Sequence, residues 1–291
     1  MNLREHMVRA VKEMETHDVP MAQRAAESLM MYTLACDRAY LFAHPERELS
    51  GEEIQEYEAS CDRRSHGKPL QYITGHQEFR GLDFKVTPDV LIPRPETEHL
   101  VEAAVAKALE ASQKNGDVLR IVDVGTGSGC IAISIAHELA AANIKAEIHA
   151  VDISDAALRI ARENADQLKL SDKVEFHASD LLSYFESQNG TFDIVVSNPP
   201  YVGRNEADKV QREVREFEPE VAVFGGEEGM DIYKRLIPQA WNALKSNGWL
   251  LMEIGYSIEA PVCALLDGWN DVQAVPDLLG IPRVVMARKN T

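Results

Sequence analysis

The stretch "LRIVDV", Leu119 to Val124, runs straight into "GTGSG", Gly125 to Gly129. A nearly unbroken apolar strand of this kind is buried on both faces, which requires a parallel sheet covered by helices. Glycines at alternate positions directly after it allow a tight turn whose backbone N–H groups can approach a ligand closely. A helical pattern follows to about Ala141, then the strand "AEIHAVD", a helix over "SDAALRIARENADQL" and the strand "KVEFHAS". "TFDIVVS" is a fourth strand, "DIYKRLIPQAWNALK" a helix and "GWLLMEIG" a fifth strand. The end, "WNDVQAVPDLLGIPRVVMAR", reads as two further strands joined by a turn. This alternation, which begins after Gly116, predicts a doubly wound α/β sheet.

The chain before it has a different character. Leu3, Met7, Val8 and Val11 recur at helical spacing, as do Ala25, Ala26, Leu29, Met30, Thr33 and Leu34. Ser50 with Glu53 three residues later is a capping-box start for a helix through about Ser65. His44-Pro45 and Gly67-Lys68-Pro69 break the helices into a small bundle. In "EFRGLDFKVTPDVLI", Leu82, Phe84 and Val86 alternate, with turn signals at Arg80-Gly81 and Thr87-Pro88, which predicts a β-hairpin. Pro95, Glu96 and Glu98 then suit the first turn of another helix. The expected organisation is a helical domain over 1–70, a hairpin linker over 71–92 and the α/β domain over 93–291.

A net charge of −17 argues against a protein that grips nucleic acid through its phosphates. No apolar run approaches the ~20 residues of a membrane span, and the charged N-terminus is unlike a secretory signal. Cys36, Cys61, Cys130 and Cys263 are scattered, which predicts free thiols in a reducing cytoplasm. No cysteine or histidine spacing suggests a metal site.

Asp152 ends the second strand of the alternating region, where a carboxylate can bind a ribose diol. With the glycine loop it predicts an adenosine-containing ligand at the carboxyl edge of the sheet. The spacing is GxGxG and not the dinucleotide GxGxxG, and a purely structural glycine turn is the alternative. From about Arg120 onward the chain resembles the class I S-adenosylmethionine-dependent methyltransferases, whose first motif is such a loop. The resemblance implies a seven-stranded sheet with the last strand inserted antiparallel. It also implies that Gly125, Thr126, Gly127, Ser128, Gly129 and Asp152 hold S-adenosyl-L-methionine, with Asp180 and Leu181 at the adenine.

"NPPY", Asn198 to Tyr201, ends the fourth strand at the same edge and looks like the signature of methyltransferases acting on planar amide or amino nitrogens. The Asn198 side-chain oxygen and the Pro199 carbonyl can each accept one hydrogen of a planar NH₂ group. Tyr201 can stack on that group, and Pro199 and Pro200 stiffen the corner. Asn-Pro-Pro as a mere strand terminator is the alternative.

"PLQYITGHQEF", "LIPRPETE", "VDVGTGSG", "SNPPY", "FEP" and the late "RVV" occur in that order. Together they resemble the protein N5-glutamine methyltransferases, most closely the release factor methyltransferases of the HemK/PrmC type. The likeness spans nearly the whole chain, and over the first 65 residues it lies mainly in helical character and "HPEREL". It implies methylation of the glutamine of the Gly-Gly-Gln motif in class 1 peptide chain release factors, with S-adenosyl-L-homocysteine as the other product. By the same likeness, Asn198, Pro199, Pro200 and Tyr201 hold the glutamine, Asn198 also touches the methyl donor, and the helical domain docks the partner. Arg94 and Glu96 are read as helix-start residues. A glutamine methyltransferase of a ribosomal protein, an amino-methyltransferase of nucleic acid and a non-catalytic binding module are the rival readings.

Overall fold

The structure, a computed structural model, describes residues 1–115 and 118–291; Gly116, where the alternating pattern was expected to begin, lies outside the described residues. The chain forms two compact units, Met1–His76 with Gln211–Phe217, and Gln77–Val210 with Glu218–Thr291.

The first unit is helical: α1 (Leu3–Thr16), α2 (Ala22–Leu34), α3 (Arg38–Ala43), α4 (Gly51–Ser65) and α5 (Leu70–Thr74). Ser50 and Glu53 form the expected capping box on α4, and Asn2 and Glu5 form a second on α1. α1 buries Leu3, His6, Ala10 and Met14. Val8 points to solvent, because five residues from Leu3 at about 100° each turn it off that face. In α2, Ala25, Ala26, Leu29 and Met30 form the core side, and Tyr57 of α4 donates its hydroxyl to the Ala26 carbonyl at 3.3 Å. The short helix Arg212–Phe217 belongs to this unit although it is distant in sequence. Arg64, nearly buried, donates to Glu213 at 2.8 Å and to the Lys68 carbonyl at 3.0 Å.

Strands β1 (His76–Phe79) and β2 (Leu82–Lys85) form the expected hairpin. Arg80 and Gly81 both have positive φ, 51° and 74°, as a two-residue turn matched to strand twist requires. After α6 (Glu98–Asn115) the main sheet begins. Its strands are β3 (Leu119–Val124), β4 (Ala146–Asp152), β5 (Val174–Ala178), β6 (Phe192–Ser197), β7 (Leu244–Glu253), β8 (Asn270–Pro276) and β9 (Pro282–Arg288). The order is β5-β4-β3-β6-β7-β9-β8. β3 to β7 are parallel, and β9 inserts antiparallel between β7 and β8.

Alternate residues of the strands feed two cores. Ile121, Ile148, Ile194 and Leu251 face α6, α7 (Cys130–Ala141) and α8 (Asp155–Gln167). Val122, Val195, Leu250 and Val285 face the helices Asp231–Ala243 and Glu259–Ala264. Burial on both faces explains why these strands read as apolar runs. Strand order reverses between β3 and β6, and in such a sheet a crevice opens at the carboxyl ends of the two strands flanking the reversal. Among the described residues no helix is long and apolar enough to cross a membrane.

Asn164 of α8, wholly buried, ties the hairpin to the glycine loop. Its oxygen accepts from the Lys85 N–H at 2.7 Å, and its amide donates to the Lys85 and Ser128 carbonyls at 3.0 and 2.9 Å. Asn164→Ala strands these backbone groups away from water and is expected to cost about 2–4 kcal/mol of stability, read from urea or thermal unfolding.

Candidate active site

The loop after β3 is stitched to the end of β4. The Gly125 and Thr126 N–H groups both donate to the Val151 carbonyl, at 2.8 and 3.0 Å. The Gly127 N–H donates to Asp152 Oδ2 and the Ser154 N–H to Asp152 Oδ1, each at 2.9 Å. Gly125, Gly127 and Gly129 have φ of 75°, 55° and 83°, which disfavours any side chain. A Cβ at Gly125 or Gly127 would meet nothing within 4 Å, so open space lies over the loop. One at Gly129 would lie 2.8 Å from Ile133 and 3.1 Å from Ala161. Gly125, Thr126, Gly127 and Ser128 therefore line the crevice, whereas Gly129 lets α7 and α8 pack closely.

The Thr126 hydroxyl is committed to Asp123 Oδ2 at 2.7 Å, so toward the crevice this residue offers mainly backbone. Asp123 is fully buried, and burial pushes its carboxyl up to about 7. Burial also raises Asp152, opposed by the N–H groups of Ser154, Gly127 and Ile153. Each Asp152 oxygen keeps a lone pair for a hydroxyl group. Asp180 and Leu181 line the same crevice. Asp180 is paired with Arg235 at 2.6 Å, and Ser179 fixes the loop by donating to the Leu181 carbonyl at 2.7 Å and accepting the Tyr184 N–H at 3.0 Å.

Asn198, Pro199 and Pro200 line the crevice from the β6 side. Ser197 donates its hydroxyl to the Val124 carbonyl at 2.7 Å, joining the two strand ends. The Asn198 amide donates to Thr97 Oγ1 at 3.1 Å, and Thr97 is hydrogen-bonded in turn to Glu253 at the end of β7. A hydroxyl has one proton. When Thr97 gives it to the carboxylate, it can only accept from Asn198, which leaves the Asn198 oxygen as the free acceptor. Glu253 is almost wholly buried, and burial pushes its carboxyl up to about 7. Tyr201 does not line the crevice: its ring lies beside Gly255, where a Cβ would come within 3.0 Å, and burial raises its phenol.

A second segment clamps the corner. The Val202 N–H donates to the Val223 carbonyl at 3.1 Å, and the Gly225 N–H to the Val202 carbonyl at 3.0 Å. A Cβ on Gly225 would sit 2.2 Å from the Pro200 oxygen, so only glycine fits. Arg94 lines the crevice and is ion-paired with the buried Glu218 of "FEP", while Glu96 lies 3.8 Å from Arg283. Thr97, Glu253 and Gly225 were not singled out in sequence; the only hints were a polar residue in "PETE", an acid closing an apolar strand and the doubled glycine of "FGGEEG".

The two buried acids give a signed pH dependence. Asp123 and Glu253 ordinarily titrate near 3.8 and 4.5 but near 7 in the folded ligand-free protein. The folded state thus holds protons that the unfolded state releases, and their contribution to stability falls as pH rises from about 4 to 7. Asp123→Asn should show a flatter decline in melting temperature over that window than the parent protein.

Residues 5–75 match the family model of the PrmC N-terminal domain, and residues 115–262 match a methyltransferase domain. A release factor glutamine methyltransferase of Koribacter versatilis is 54% identical over 291 residues, covering 100% of both chains. Its counterpart in Moorella thermoacetica is 38% identical over 290 residues, covering 99% of this chain and 98% of that one. Among solved structures, the hMettl16 catalytic domain in complex with MAT2A 3'UTR hairpin 6 aligns with a TM-score of 0.55 at 20% identity, over 80% of this chain and 82% of that one, a likeness of fold. With full-length relatives well above 30% identity, the chain belongs to the release factor glutamine methyltransferase family, and its seven-stranded sheet has the class I methyltransferase fold.

Proposed function

We propose that the protein methylates the side-chain amide nitrogen of the glutamine in the Gly-Gly-Gln motif of class 1 peptide chain release factors, using S-adenosyl-L-methionine. The observation that carries this reading is the Asn198 amide, held by Thr97 so that its oxygen is left to accept a hydrogen at the crevice lined by the glycine loop. The open space over Gly125 and Gly127, the Asp152 carboxylate and the loop at Asp180 and Leu181 suit an adenosine-bearing donor. That donor supplies an electrophilic methyl group on a sulfonium.

The residues act by alignment. Asp152 accepts the ribose hydroxyls, and the backbone of Gly125 to Ser128 follows the rest of the donor. Asn198 Oδ1 and the Pro199 carbonyl take the two amide hydrogens, turning the nitrogen lone pair toward the methyl carbon. With the donor bound, transfer to the amide nitrogen would return the C–S electron pair to sulfur and leave the surplus nitrogen proton to solvent. Tyr201 packs beside the corner and keeps water out. Such alignment is worth about 7–11 kcal/mol against a bimolecular reference. In this reading residues 1–70 dock the release factor, 71–92 link and 93–291 carry the chemistry, all in the cytoplasm where release factors act. Neither direct nucleic-acid binding nor a membrane is part of it.

Methyl transfer to purified release factor, read by mass spectrometry of the Gly-Gly-Gln peptide, tests the assignment. One added methyl on the glutamine, absent when that glutamine is replaced, is the expected result. Transfer only to a ribosomal protein extract or to duplex DNA would overturn the choice of acceptor.

The two sides of the crevice should separate kinetically. Asn198→Ala is expected to lower turnover about 10²–10³-fold while donor affinity changes little. Asp152→Ala should weaken donor binding first. Equal losses of affinity in both, measured by calorimetry with the donor, would count against these roles.

A further inference from the structure

A second cluster of chemically competent side chains lies at the sheet edge, outside the crevice. His149 of β4 pairs across the ladder with Glu175 of the edge strand β5, and His177 follows two residues later. The two-residue period of a strand turns all three to one face. His149 Nδ1 lies 3.4 Å from His177 Nε2, and Glu175 Oε2 lies 3.6 Å from each.

A separation of 3.6 Å is too long for a hydrogen bond. It is the right length for the edge of a coordination tetrahedron. With metal bonds of about 2.0–2.2 Å, ligand atoms stand about 3.3–3.6 Å apart. A triangle with these three sides has a point about 2.0 Å from every corner, where a cation would meet all three atoms at bonding distance.

The rings are already held in place. Tyr184 stacks on His177 with ring centres 4.3 Å apart. Phe185 meets both imidazoles edge-on, at 5.3 and 5.8 Å, and Phe192 meets His149 at 5.7 Å. Binding would therefore cost little ordering of the histidines. Both are mostly buried, whereas the Glu175 side chain is 71% exposed, which leaves the outer side open to water.

We propose that His149, Glu175 and His177 form a site for a divalent cation of the zinc class, with its fourth position open to solvent. Two imidazoles and one carboxylate suit zinc or cobalt, whereas magnesium and calcium prefer all-oxygen sites. β5 leads directly into Ser179 and Leu181 of the crevice, so a cation joining β4 to β5 would stiffen the strand that carries that loop. The proposal does not depend on the methyl-transfer reading.

The test uses the full chain, stripped with a chelator and dialysed, then titrated with Zn²⁺ by calorimetry and with Co²⁺ by visible absorption. One equivalent of Zn²⁺ is expected, with intense Co²⁺ bands of a four-coordinate site that Zn²⁺ displaces. Glu175→Gln should weaken binding by at least about tenfold, and His177→Asn should abolish the Co²⁺ bands. Because Glu175 is exposed, its variant should melt like the parent protein without metal, so loss of binding there is not loss of fold. Absence of saturable binding, or one-equivalent binding that survives Glu175→Gln undiminished, would overturn the proposal.

Discussion

The pairing of β3 with β6 is the constraint on which the rest depends. It is the place where strand order reverses, and it brings the glycine loop and the asparagine corner to the same edge. The bond from Ser197 to the Val124 carbonyl joins the last residues of the two strands, one step before each functional loop begins. Neither loop could make the crevice alone. The first supplies glycine clearance and holds the Asp152 carboxylate in place, the second offers acceptors, and the strand register decides that they face one another.

Around that edge, charge is managed by the number of donors each acid receives. Asp152 collects backbone N–H groups from Gly127, Ile153 and Ser154, which oppose the effect of burial. Asp123, one strand away and wholly buried, is supported by the Thr126 hydroxyl and the Ala132 N–H, and burial is the largest influence on both acids. Glu253 is similar: Thr97 supports it while its Oε2 lacks a partner. A carboxyl left poorly solvated is driven toward its neutral form. Burial thus raises the same chemical group at both positions, against three backbone N–H groups at Asp152 and other donors at Asp123 and Glu253.

Local signals made much of this legible. The apolar runs, the GxGxG spacing, the Ser50 capping box and the Asn198 corner are each written in a few consecutive residues, and each stands where its pattern placed it. What was not legible depends on partners far apart in the chain. Thr97 meets Asn198 across 101 positions. Gly225 matters because the Pro200 carbonyl passes 2.2 Å from where its Cβ would be. The helix Arg212–Phe217 joins the helical unit through Glu213 and Arg64, 149 positions apart. His149 and His177 share no local spacing motif because strand pairing, not helical repeat, brings them together. The buried face of α1 is illegible for a different reason: several near-equivalent helical phases fit a short apolar pattern, and packing chose the one led by Leu3, Ala10 and Met14.

The corner alone does not select its acceptor. An amide and an exocyclic base amine both present a planar NH₂ with two hydrogens, and Asn198 Oδ1 with the Pro199 carbonyl would serve either. Discrimination has to come from what surrounds the nitrogen. A nucleic acid would bring phosphates toward a chain carrying 47 acidic and 30 basic side chains, with a repulsion that a protein acceptor need not meet. The chain itself matches the PrmC N-terminal domain over residues 5–75 besides the methyltransferase domain over 115–262. If, as proposed, that N-terminal domain docks the release factor by its surface, the corner needs to read only the single side chain delivered to it. That division fits the narrow hydrogen-bonding task left to Asn198 and Pro199, whose geometry is held from behind by Thr97 and by the clamp at Gly225.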